Sequence, residues 1–209
     1  VNNGSPVTKV NGLITGSYLY QLMVVDNDGA TGVDTVSLIV KGPMYVTLSL
    51  QPGNNTNEVL IFGNSSGLDE TNNVAAEIGA EAWTKYGNPV ALRTAFKFDL
   101  SSIPATATIK SAKLTLYSHP NPINGHQDNE MRANYGSNNT MLIQKITSTW
   151  AGAAVTFNNQ PSSTTTNQVV IPSTSDPYLD LIDMDVTQLV KDMTGSNVNN
   201  GFFLKLQNE

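Results

Sequence analysis

The residues best suited to hold a ligand lie on two alternating stretches, LRTAFKFDL at 92–100 and SAKLTLYSH at 111–119. A strand turns successive side chains to opposite faces. In the first stretch this groups Arg93, Ala95, Lys97 and Asp99 against Thr94, Phe96, Phe98 and Leu100, the second set being core. In the second stretch Lys113, Thr115, Tyr117 and His119 stand opposite Ala112, Leu114 and Leu116. If the two strands are neighbours, Arg93, Lys97, Lys113, Tyr117 and His119 make one basic and aromatic face. Its chemistry is recognition of carboxylate-bearing sugars, with arginine offering a bidentate fork. The plainer reading is a solvated sheet face with ordinary cross-strand charge pairing, for instance to Asp99.

Flat rings that stack on the C–H side of a pyranose add Trp83 and Tyr86, at a strand end leading into a Gly87-Asn88-Pro89 turn. Trp150, within STWAGAAVTFNNQP, is expected to pack against the body of the fold. Hard oxygen ligands for a structural calcium come from Asp26, Asp28 and Asp34 around one turn, and from Asp69 and Glu70 with Asn72 in another loop. The first set lacks the bidentate glutamate of an EF-hand loop, and a turn stabilised by Asx hydrogen bonds is its plainer reading. Signals for catalysis are thin. His119 and His126 are the groups that titrate near neutrality, and neither sits in an H-E-x-x-H helix. The string HQDNE at 126–130 is expected to be solvated, and nothing selects a carboxylate pair for glycoside hydrolysis. Asp34-Thr35-Val36 fits a short O-glycosylation pattern, and Asn54, Asn64 and Asn138 begin N-x-S/T sequons.

The elements that position these residues are short. At 209 residues the chain accommodates one sizeable domain and a smaller companion. Charged residues make up 13%, against plentiful Asn, Ser, Thr and Gly, a surface typical of secreted β-proteins. A net charge of -6 and a pI near 4.8, with no Lys/Arg cluster, set the chain against nucleic acid and anionic membranes. There is no cysteine, hence no disulfide, thiolate metal site or cysteine nucleophile. The longest apolar run, around Leu22 to Val25, falls far short of the roughly 20 residues that span a bilayer, so no membrane insertion is expected.

YLYQLMVV and DTVSLIV flank the turn residues DNDGATG and predict a β-hairpin between Ser17 and Val40. From Tyr45 the strand candidates are YVTLSLQP, EVLIFG, AAEIGAEAW, LRTAFKFDL, TIKSAKLTLYS, MLIQKIT, AVTFNN, NQVVI and GFFLKL. Short strands bounded by Gly, Pro, Asn and Ser predict an all-β, jelly-roll-like antiparallel sandwich. One short helix is predicted after Asp185, with Val186, Leu189, Val190 and Met193 at helical spacing and Gly195 as its C-terminal cap. Ser118 to Asn139 reads as a long loop.

Three separated stretches, FKFDLSSIPATATIKSAKLTLY, ITSTWAGAAVTFNNQPSSTTTNQVVIP and IDMDVTQLVKDM with NNGFFLKLQNE, resemble the DNRLRE domain. The resemblance covers residues 44–209, and that domain is related to the disaggregatase repeat and to carbohydrate-binding module family ninety-six. It implies a jelly-roll sandwich on a secreted or surface-anchored prokaryotic protein, with acidic polysaccharide as the partner. NGLITGSYLYQLMVVDNDGATGVDTVSLIV resembles the second half of a PKD-type immunoglobulin-like domain, a spacer or adhesion module in which calcium is sometimes held. The expected organisation is therefore 1–42 as the C-terminal part of a PKD-like domain and 43–209 as a DNRLRE-type sandwich lacking its last strand. An incomplete sandwich exposes an edge, which predicts homotypic strand-edge contacts. Three functions stay open: a non-catalytic extracellular polysaccharide-binding or adhesion module, a structural stalk, adhesin or filament subunit, and part of a polysaccharide-degrading enzyme.

Overall fold

The computed structural model of the protein describes residues 9–51, 58–63, 69–72, 77–122, 126–127, 131–136, 138–196 and 198–209, with backbone alone for 58–63, 69–72, 126–127, 131 and 153. Two compact units follow one another, Val1–Ser49 and Leu50–Glu209.

In the first unit β1 (Gly16–Val25) and β2 (Thr31–Val40) pair antiparallel, Gly16 opposite Val40 and Val25 opposite Thr31. Asp26 builds the turn: its Oδ1 accepts from the Asp28 N–H at 3.0 Å and the Ala30 N–H at 2.8 Å, while Gly29 takes the left-handed conformation at φ 84°. The register gives Tyr18, Tyr20, Leu22 and Val24 one face together with Val36, Leu38 and Val40. Most of that face is open to solvent, Leu22 at 63% and Val36 at 61%.

The second unit is an all-β antiparallel sandwich with one short α-helix. Its larger sheet has seven strands, β3 (Glu58–Gly63), β4 (Asp69–Asn72), β5 (Glu81–Lys85), β6 (Asn88–Phe96), β10 (Met141–Ile146), β11 (Ser163–Ile171) and β13 (Phe202–Leu206). The order is β11-β10-β13-β6-β3-β4, with β6 central. β3 runs along one edge of β6, opposite 91–96, and the other edge is shared by β5, opposite 88–92, and β13, opposite 94–96. The smaller sheet is the ribbon of β7 (Lys113–Leu116) and β12 (Leu181–Asp185). A short pair, β8 (His126–Gln127) and β9 (Met131–Arg132), lies within the 118–139 segment read as a loop.

The main core forms where Phe96, Ile143, Phe202 and Leu204 of the larger sheet meet Leu114 and the apolar side of α1 (Thr187–Gly195). Phe96 and Phe202 stack at 5.4 Å and the partly buried Phe98 meets both edge-on; burial of Phe96 and of Phe202 contributes about 1.5–3 kcal/mol each. Val186, Leu189, Val190 and Met193 are all buried there, as helical spacing predicts. Asp185 Oδ1 receives the Thr187 N–H at 2.9 Å at the helix start. Gly195 is the last helical residue, without a left-handed φ, so it is not the expected cap; Ser196 Oγ instead donates to the Asp192 carbonyl at 2.8 Å.

The opposite face of the larger sheet is also covered. Ala95, Ile146, Val155 and Phe203 form a second core with Trp150 and Phe157 from the segment around a single 3-10 turn, Gly152–Ala154. AVTFNN is thus a cover and not a strand. Asn159 holds it in that form, its Oδ1 accepting from the Thr156 N–H at 2.6 Å and its amide donating to the Ala154 carbonyl at 2.9 Å. Residues 41–51 are likewise outside any strand, and β6 stops at Phe96.

Candidate functional site

Arg93 and Lys97 leave the β6 side that sequence alternation marks as outward, yet both meet rings of the covering segment. The Arg93 guanidinium lies 4.8 Å from the Phe157 ring centroid, and Lys97 Nζ lies 5.3 Å from that of Trp150. Arg93 Nε donates to both Glu209 carboxylate oxygens at 3.0 Å and Nη2 to Oε2, while Nη1 donates to Gln160 Oε1 at 2.7 Å. Gln160 is in turn fixed by donating to the Phe157 carbonyl at 2.6 Å. The result is a planar, half-buried carboxylate cradle, filled by a carboxylate of the same chain. Asp99, named as a cross-strand partner, instead accepts the Ser101 N–H at 2.9 Å, and hydrogen bonding from Ser101 keeps its carboxyl below the usual range.

Lys113, Tyr117 and His119 do not join this cradle. The single basic face required β6 and β7 to be neighbours, and they lie in different sheets: β7 pairs with β12, not with β6. The correction has a simple cause, since alternation fixes which residues share a face of one strand and says nothing about which strand lies beside it. Lys113 sits 3.9 Å from Asp185 across the ribbon. Tyr117 is 76% exposed, and His119 Nδ1 accepts from the Asn121 N–H at 3.2 Å.

Trp83 and Tyr86 occupy the β5–β6 hairpin. Its two-residue turn is Tyr86-Gly87, both left-handed at φ 51° and 82°, so Asn88 and Pro89 already belong to β6. Tyr86 projects at 94% exposure and Trp83, opposite Val90, at 41%. Trp150 is half-buried as expected, donating through Nε1 to the Asn200 carbonyl at 2.7 Å.

Among the described residues no group of three His, Cys, Asp or Glu is placed to hold a metal ion. Asp26 spends its carboxylate on the turn, and Asp34 Oδ1 accepts its neighbour's Thr35 N–H at 2.8 Å. Asp28 is the turn residue whose N–H Asp26 receives. Asp69 and Glu70 fall in β4, with side chains outside the described residues, as is that of His126; Asn54, Asn64, Asp128 and Glu130 lie wholly outside them. Residues 63–67 spell the G-x-S-x-G pattern of a nucleophile elbow, and 64–67 lie outside the described residues.

Sequence reasoning missed Phe157, Gln160 and Glu209, the partners of Arg93, because Phe157 was absorbed in a supposed strand, AVTFNN, and the other two lie 67 and 116 residues along the chain from Arg93. Carbohydrate-binding module family 96 matches this chain over residues 62–209. No curated protein and no solved structure matches it.

Proposed function

The chain belongs to carbohydrate-binding module family 96, and from that premise we propose a non-catalytic module of an extracellular or cell-surface protein that holds acidic polysaccharide. The observation that carries this reading is that the match runs over residues 62–209, from the end of β3 through β13 of the sandwich, which supports looking for the binding surface on this unit. The Arg93 cradle supports the acidic class. It shows a guanidinium on this sandwich already arranged for bidentate carboxylate contact, and Lys113 adds a half-exposed ammonium on the ribbon. Extracellular placement is supported by the low charge content, 13%, against plentiful Asn, Ser, Thr and Gly.

Affinity electrophoresis through gels of alginate, pectate and neutral glucan tests the proposal. Retardation in the uronate gels that weakens with salt, with no new reducing ends formed, is the expected result. Mobility unchanged in every gel at low salt sinks it. Equal retardation in neutral and acidic gels retains a carbohydrate module but removes the acidic preference. A second reading, a structural or adhesive subunit, is favoured by the apolar face of the β1–β2 hairpin.

A further inference from the structure

Three exposed tyrosines are brought together from segments far apart in sequence. Tyr117 follows β7, Tyr135 stands in the 133–140 segment and Tyr178 in the segment between β11 and β12. They are 76%, 49% and 43% exposed, an unusual amount of open aromatic surface for positions that are not hairpin tips.

The backbone beneath them is held firmly. Ser118 Oγ donates to the Tyr178 carbonyl at 2.8 Å, and the Ser118 N–H to Asp180 Oδ1 at 2.8 Å. The Asn134 N–H donates to the Pro177 carbonyl at 3.0 Å. Asn139 ties the same two segments again, its amide donating to the Thr174 carbonyl at 3.0 Å while its Oδ1 receives the Thr174 N–H at 2.9 Å. Each tyrosine is therefore adjacent to, or itself part of, a hydrogen bond between segments. The rings rise from neighbouring points of one fixed network, although none lies within a regular strand.

We propose that Tyr117, Tyr135 and Tyr178 form a stacking platform for the pyranose rings of a polysaccharide. This rests on the carbohydrate-binding reading above and locates its site on the β7–β12 side of the sandwich. A phenol ring offers a flat apolar face to the C–H side of a sugar, so exposure is the working state of such a residue. A tyrosine has only two rotatable side-chain bonds and the backbone below it is already ordered, so little freedom is lost on binding. His119 supplies a polar contact beside Tyr117. Because its Nδ1 accepts the Asn121 N–H, the neutral ring carries its proton on Nε2, a donor for a sugar hydroxyl or carboxylate.

The test uses the full chain, alginate and pectate as probes, and Tyr117→Ala, Tyr135→Ala and Tyr178→Ala singly and together, with Tyr45→Ala, an exposed tyrosine of the first unit, as a comparator. Each platform change is expected to weaken retention about 5- to 10-fold and the triple change to abolish it, while Tyr45→Ala leaves retention within twofold. Hydroxyl-radical footprinting of the unaltered protein gives a readout independent of variant folding: polysaccharide protects Tyr117 and Tyr178 and leaves Tyr45 reactive. If the wild type is retained and the folded triple variant equally so, or if footprinting shows no protection at these rings, the platform is refuted while the module survives. If the wild type is retained on no polysaccharide, both readings fail together. Retention intact with self-association lost assigns the tyrosines to a protein contact and also overturns the proposal.

Discussion

Glu81 carries the clearest pH signature at the level of single residues. It is half-buried at the start of β5, opposite Leu92, and burial first, then the nearby Glu77 charge, pushes its carboxyl up to about 7. Folding therefore favours the protonated form. The stabilising contribution is complete below the ordinary carboxylate value and is lost as pH rises toward 7. Asp185 and Asp192 shift the other way, held low by hydrogen bonds from Thr187 and from Asn167 and Gln188, so they titrate below this window. Glu81→Gln, which stays neutral, is expected to match the wild type near pH 4 and exceed it at pH 8 by on the order of 2 kcal/mol, allowing for partial solvent screening. Urea unfolding at the two pH values measures this. A gap that is equal at both, or larger in acid, contradicts the assignment.

Among the elements, β13 enters the sheet through a position that accepts only glycine. Gly201 has φ 84°, and a β-carbon there would stand 2.2 Å from the Phe96 carbonyl oxygen and 2.5 Å from Lys97 Cβ. Gly201→Ala must move β13 away from β6 at the two buried rings Phe202 and Phe96, which are paired in register. A loss of about 3 kcal/mol or more is expected, read as a lower denaturation midpoint; a change under 1 kcal/mol would show that the β6–β13 contact is loose. This position was not legible in the sequence, because the clash is with a strand about a hundred residues earlier. What could be read was local. The period of two in β6 correctly buried Thr94 and Phe96, and the helical spacing of Val186, Leu189, Val190 and Met193 correctly turned them inward. Alternation failed where a second layer arrives from elsewhere, as when Trp150 and Phe157 cover the Ala95 side and convert an expected solvated face into a second core. It failed again at 45–51, where Val46, Leu48 and Leu50 alternate without a partner strand, since strand propensity becomes a strand only when an edge is available.

On the scale of the molecule the two units differ in how they bury apolar surface. Every buried hydrophobic residue among those described belongs to the second unit, the first in sequence being Val90. The β1–β2 hairpin has the register of a sheet built to be covered: Leu22, Val24, Val36 and Leu38 share a face at 63%, 58%, 61% and 42% exposure. A lone two-stranded ribbon is marginal in water, and an apolar face of this extent is a contact surface in search of cover. On the structural reading, the cover is a second copy of the chain, which presents the same face by two-fold symmetry. Sedimentation velocity is therefore expected to show association that grows with protein concentration, reduced at least tenfold by Leu22→Lys combined with Leu38→Lys. Retention on polysaccharide should be the same for that variant, because the tyrosine platform and the Arg93 cradle both lie in the other unit. A sedimentation coefficient flat across the whole concentration range would remove the structural reading, whereas coupled loss of association and of polysaccharide retention would mean that assembly, through avidity, is part of how the glycan is held.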